Sequence, residues 1–213
     1  TCDLKIRSSG KSIMYLMDKA TSFCVAGLID NKNSRECGRI LTRKWYGAGM
    51  PRISCLKSDN GKEWIGDEFA SILKRFSTVR KFTTPLHPNQ NGLCERVHMV
   101  VDLNMQKLQE EDKSLSDQDA LIWAVLAYNS TPTFTGFAPN QMAYGVHNVL
   151  TPVQDLSPVE CQQEDVTSRY LKDFATRDQA IRNHNEIRNS RKLRDLLLSR
   201  SRPTVEPKKL GSW

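Results

Sequence analysis

Ile13-Met14-Tyr15-Leu16-Met17 and Phe23-Cys24-Val25-Ala26-Gly27-Leu28-Ile29 are two continuous apolar runs parted by the polar stretch Asp18-Lys19-Ala20-Thr21-Ser22. Runs of this length without polar alternation suit strands buried on both faces. Upstream, Thr1 to Arg7 reads as a shorter strand, closed by the turn Ser8-Ser9-Gly10-Lys11. Downstream, Cys37, Ile40, Leu41 and Trp45 recur at helical spacing over 33–47, with Asn33 or Ser34 as N-cap. A strand at 53–56, a helix over 66–76 and a strand from Val79 to Phe82 follow. Then come a loop over 83–92, a long helix over 93–112 and a helix opened by Ser116. The order β-β-β-α-β-α-β-α-α predicts an α/β fold: a mixed five-stranded sheet with helices on both faces. Residues 1–147 form the body. Residues 148–159, with prolines at Pro152 and Pro158, form a connector, and 160–202 form a basic helical linker. Residues 203–213 read as the truncated start of a further domain, and the opening Thr1 adds to the expectation of a larger parent chain.

The composition bounds the function. The chain has 213 residues, 38% hydrophobic and 26% charged, which suits one globular domain with an appendage. No window approaches the roughly 20 apolar residues of a membrane span. The six cysteines (Cys2, Cys24, Cys37, Cys55, Cys94, Cys161) form no CxxC pair, and the four histidines are scattered, so a zinc site is not expected. Residues 1–165 carry 19 Lys and Arg against 19 Asp and Glu, so the entire net charge of +7 lies in 166–213. A basic tail behind a neutral body is the footprint of a polyanionic partner, although a solvated helix would carry the same charge.

Three acids stand at informative places: Asp3 in the first strand, Asp59 in a Ser-Asp-Asn-Gly turn just past the fourth, and Glu95 at the start of the long helix. In such a sheet the first strand neighbours the fourth, and a helix start caps the same edge. Three carboxylates gathered there cannot all ionise without cations, and hard divalent cations take oxygen ligands. Each acid has a plainer reading. Asp59-Asn60-Gly61 is a common turn, Glu95 complements a helix dipole, and Asp18 competes with Asp3 for the same sheet edge. Asp18 is taken as a helper or a structural residue.

The ordered motifs resemble the catalytic core of retroviral and gypsy-type retrotransposon integrases, the RNase H-like family marked by two Asp and a Glu with 35 residues between the last two. The segment Leu56-Lys57-Ser58-Asp59-Asn60-Gly61-Lys62-Glu63-Trp64 is similar to the family's second-Asp segment. Leu86-His87-Pro88-Asn89-Gln90-Asn91-Gly92-Leu93-Cys94-Glu95-Arg96 is similar to its loop and Glu helix. Tyr128-Asn129-Ser130-Thr131-Pro132, Thr135-Gly136-Phe137-Ala138-Pro139 and Tyr144-Gly145 resemble the downstream gypsy block, and Cys2-Asp3-Leu4-Lys5 the first-Asp strand. Cys94 before the Glu and Lys62-Glu63-Trp64 after the Asp-Asn-Gly are departures.

The resemblance implies that Asp3, Asp59 and Glu95 are catalytic and hold two Mg²⁺ ions, with Mn²⁺ as a substitute. Asp3 would bridge the pair. It further implies 3′-end processing and strand transfer of double-stranded DNA, a homo-oligomer, and a nuclear site of action after a cytoplasmic or particle-associated stage. Lys62, Arg96, the loop residues Asn89, Gln90 and Asn91, and the tail cations Arg188, Arg191, Lys192 and Arg194 are the expected DNA contacts. The alternative is a host-domesticated or transposon-derived descendant that serves as a DNA-binding module.

Overall fold

A computed structural model of the chain describes residues 1–6, 10–82, 92–133, 136–145 and 164–198. Strands β1 (Cys2–Ile6), β2 (Ser12–Met17) and β3 (Cys24–Ile29) form an antiparallel meander, with Asp3 opposite Tyr15 and Leu16 opposite Val25. Every residue of β2 is buried, as its unbroken apolar run predicts. Alternate side chains explain why. Met14 and Leu16 enter one core with Cys37, Leu41, Trp64 and Phe69, while Ile13, Tyr15 and Met17 enter a second core with Val97, Val101, Met105 and Leu121.

The first core is closed by α1 (Ser34–Ile40), by π-type and 3₁₀ turns that carry its helix on to Ala48, and by α3 (Asp67–Arg75). Asn33 caps α1, its side chain accepting from Glu36 N at 2.9 Å. A one-turn helix, α2 (Lys62–Ile65), precedes α3 and was not expected. The second core is closed by α4 (Gly92–Glu111) and α5 (Asp117–Ser130), the latter capped by Ser116 as its capping-box pattern predicts. A short α6 (Pro139–Tyr144) follows.

The sheet departs from the expected single five-stranded layer. Strands β4 (Cys55–Ser58) and β5 (Val79–Phe82) pair in parallel with each other and form a separate two-stranded sheet. β4 still lies beside β1, but side chains hold the junction: Thr1 Oγ1 donates to Lys57 O at 3.2 Å and Cys2 Sγ to the same carbonyl at 3.6 Å. Those side chains take up the carbonyl that a backbone ladder would use.

Helix α7 (Glu164–Leu198) packs against α4 and α5. It runs antiparallel to α4, with Lys172 on Asp112, Gln179 on Glu111, Glu186 on Lys107 and Arg191 on Met99 Sδ. The seam is polar. Asn104 Nδ2 donates to Ala180 O at 2.9 Å beside a small apolar contact of Leu108, Ala127 and Ala180. Among the described residues no helix is long and apolar enough to cross a membrane. Cys2, Cys24, Cys37 and Cys94 are buried free thiols and Cys55 is an exposed one. Cys161, the connector 148–159 and residues 203–213 lie outside the described residues.

Candidate active site

Period-two geometry turns Asp3 and Lys5 to the α4 side of β1, while Cys2 and Leu4 face α1 and α3. The Asp3 side chain is only 17% exposed, and its Oδ1 accepts from Leu4 N at 2.8 Å. Burial lifts its carboxyl from 3.8 to about 6; the Leu4 bond opposes this, the charges of Asp59 and Glu95 add to it, and Lys32 opposes it weakly. The strand acid, the turn acid and the helix acid therefore share one electrostatic neighbourhood.

Asp59 is exposed at the end of β4, and its Oδ1 accepts from Gly61 N at 3.0 Å, which fixes the turn. Glu95 is exposed in the first turn of α4. Among the described residues no three His, Cys, Asp or Glu side chains stand close enough to hold a metal ion as they are. The donor set nonetheless fits a hard cation: three carboxylates, one of them half-buried and hard to ionise, in a mutual repulsion that a divalent ion would relieve.

Asp18 belongs to the turn. Its carboxylate accepts from Thr21 N at 3.1 Å and Thr21 Oγ1 at 2.7 Å, so it caps the β2–β3 hairpin one residue beyond the Thr1–Met17 pairing. Lys62 is exposed at the start of α2 and Arg96 is exposed next to Glu95. Arg188 donates to Pro132 O, which ties α7 to the end of α5; Lys192 and Arg194 are exposed. The antiparallel run of α7 brings this basic end to the first turns of α4, with Arg191 on Met99 one turn beyond Glu95. Asn89, Gln90 and Asn91 lie outside the described residues.

Several residues near the acids were not found by sequence reasoning. His98 and Asp102, polar residues of α4, turn inward. His98 is buried against the Tyr15 ring at 4.1 Å, with Nδ1 4.0 Å from Asp3 Oδ2. Asp102 accepts from Tyr15 OH at 3.1 Å and pairs with Lys5 at 2.5 Å. Burial drives His98 down to about 4, so it is neutral at pH 7. Cys94, buried beside Glu95, is pushed up to about 12 and stays a thiol. Lys32 and the buried Glu63 pair at 3.3 Å near the same edge. Asn129, within the quoted Tyr-Asn-Ser-Thr-Pro block, is buried and clasps the edge of β3, accepting from Cys24 N at 3.0 Å and donating to Cys24 O at 2.7 Å.

No family model matches the chain. In sequence it is 26% identical over 135 residues (63% of its length) to the Pro-Pol polyprotein of feline foamy virus. It is 28% identical over 121 residues (56%) to the Gag-Pro-Pol polyprotein of sheep pulmonary adenomatosis virus. These matches take up 11% and 7% of the polyproteins, so the chain spans about a tenth of the length of the curated relatives it matches. In fold it is similar to the catalytic core domain of BIV integrase, with a TM-score of 0.57 at 16% identity, covering 67% of this chain and 90% of that one. It is also similar to a chain of the simian T-cell lymphotropic virus intasome in complex with a PP2A regulatory subunit, with a TM-score of 0.61 at 19% identity, covering 75% and 57%. The chain thus has the α/β fold of a retroviral integrase catalytic core and sequence similarity to retroviral Pol polyproteins, which is the resemblance that its Asp-Asn-Gly and Glu-helix motifs carry.

Proposed function

We propose that this chain is the catalytic core of a retroelement integrase, a polynucleotidyl transferase that trims DNA 3′ ends and joins them to a target strand. The observation that carries the reading is the state of Asp3: a half-buried carboxyl held near 6, with Asp59 and Glu95 among the charges that raise it. In this reading Asp3, Asp59 and Glu95 hold two Mg²⁺ ions, which supply activation of the attacking oxygen and charge neutralisation at the leaving one. The protein's share is positioning. β1 presents Asp3 from a rigid sheet, the Gly61 bond orients Asp59, and the first turn of α4 presents Glu95. Water or a DNA 3′-hydroxyl is the nucleophile, so no side chain attacks phosphorus. The protonated Cys94 and the neutral, buried His98 agree with that division of labour.

Lys62 and Arg96 flank the acids and meet phosphates; Asn89 to Asn91 contact the DNA end; Lys192 and Arg194 track the backbone. The β4–β5 sheet lies beside the meander and is tied to it at Lys57 by the Thr1 and Cys2 side chains. Similarity to an intasome chain supports action on DNA as an oligomer. The nucleus, after a cytoplasmic or particle-borne stage, is where this reading puts that action.

The test is joining of pre-trimmed double-stranded ends to a plasmid in Mg²⁺ and in Mn²⁺. Asp59→Asn is expected to lose on the order of 100-fold or more, equivalent to the several kcal/mol of charge stabilisation that bound metals provide. Equal joining by both proteins would place the chemistry elsewhere.

A further inference from the structure

Glu63 is a buried carboxylate that the proposed chemistry does not use. It lies four residues past Asp59, on the one-turn helix α2, and its side chain is 7% exposed. Burying a carboxylate is costly unless it is paired, and here a partner arrives from a distant segment. Lys32, in the turn after β3, reaches Glu63 Oε1 at 3.3 Å. Two residues on, Ser34 Oγ donates to the Glu63 backbone carbonyl at 2.8 Å. The β3–α1 corner therefore grips the residue by its side chain and by its backbone.

The grip bears directly on the Asp59 turn. A Cβ on Gly61 would stand 2.7 Å from the Glu63 carboxylate, and the same Gly61 donates its N–H to Asp59 Oδ1 at 3.0 Å. At the other end of α2, a Cβ on Gly66 would stand 1.9 Å from Ser34 Oγ, so the end of α2 is packed against the corner. The two glycines allow the close approach, and the contacts run from Lys32 through Glu63 and Gly61 to the Asp59 carboxylate.

We infer that Glu63, held by Lys32 and Ser34, is a positioning residue that sets the Asp59 turn against the β1 acid for divalent-cation binding. This rests on the proposed metal role of Asp59. Glu63→Gln keeps the side-chain volume and removes the charge that Lys32 holds. Lys32→Met removes the same pair from its exposed end and leaves the buried carboxylate and its packing in place. Mn²⁺ binding to the full chain is read by loss of the free-ion electron paramagnetic resonance signal, and order in the turn by hydrogen exchange of the Gly61 amide.

Removal of an outer partner of a metal ligand lowers affinity by about tenfold or more. Both variants are therefore expected to raise the Mn²⁺ dissociation constant by about that factor and to speed Gly61 exchange, with the double variant no worse than the singles. A purely structural Glu63 would lower thermal stability while leaving Mn²⁺ affinity and Gly61 exchange as in wild type. That result, with Asp59→Asn still abolishing Mn²⁺ binding, would overturn the inference and spare the function. Mn²⁺ binding unchanged in Asp59→Asn would overturn the function itself, and the inference with it.

Discussion

Replacing Asp3 by Asn should make the metal-free protein more stable at neutral pH. The folded chain holds this carboxyl at about 6 against an ordinary 3.8, so between those values the native state binds more protons than the unfolded state. Stability then falls as pH rises through the window, and above about pH 6 the ionised Asp3 carries the full cost. The gap corresponds to about 3 kcal/mol at pH 7. Asn is nearly isosteric, and its Oδ1 can still accept the Leu4 N–H that Asp3 takes at 2.8 Å. At about 2–4 °C per kcal/mol for a chain of this size, the variant should melt roughly 6–12 °C above wild type. The assay is thermal unfolding in EDTA at pH 7 and near pH 3.5, then at pH 7 with saturating Mg²⁺. The advantage of the variant should vanish at the acid pH, where both side chains are neutral. It should shrink when Mg²⁺ is added, because only wild type gains from the cation. An Asp3→Asn protein less stable than wild type at pH 7, or a difference independent of pH, would refute the reasoning.

Three further outcomes follow from the same contacts. His98 and His184 are buried and held near 4 against an ordinary 6.5; they contribute stability that is complete above pH 6.5 and lost as pH falls toward 4, on the order of 3 kcal/mol each. Urea unfolding across pH 7.5 to 4 should show that loss, and His184→Leu should reduce it by about half. Asn129→Ala removes both bonds to the Cys24 backbone and leaves a buried N–H and C=O unpaired, so about 2–4 kcal/mol should be lost in urea unfolding at pH 7.5. Lys192→Ala with Arg194→Ala should weaken binding to duplexes of any sequence and reduce the slope of log affinity against log salt by about 2.

The parts of the fold legible in the sequence are those that local pattern dictates. The unbroken apolar run of β2 announced a strand with a core on each face, and Asn33 and Ser116 announced helix starts because a cap acts within three residues. Asp59 and Glu95 sit where the pattern marks a strand end and a helix start, and Asp3 lies within β1 as the strand reading placed it. Long-range contacts were not. His98 and Asp102 look like outward polar residues, yet α4 lies between the sheet and two helices and buries a wide arc; Tyr15 and Lys5 satisfy Asp102 from β1 and β2. The Lys32–Glu63 pair joins residues on different elements, which no periodicity reports. The basic helix read as a linker that meets a polyanion, with a solvated helix as the plainer alternative, but Ala180, Asn183 and Ile187 form a buried stripe narrow enough to hide among its charges. The junction of β1 and β4 is made by the Thr1 and Cys2 side chains rather than by a backbone ladder, a detail below the reach of strand propensity.

The most direct measurement is anomalous diffraction from crystals of the chain soaked in Mn²⁺. The account predicts Mn²⁺ at the carboxylates of Asp3, Asp59 and Glu95, and its loss from crystals of Asp59→Asn. Mn²⁺ that binds elsewhere, or leaves those three carboxylates bare at saturating concentration, would contradict it.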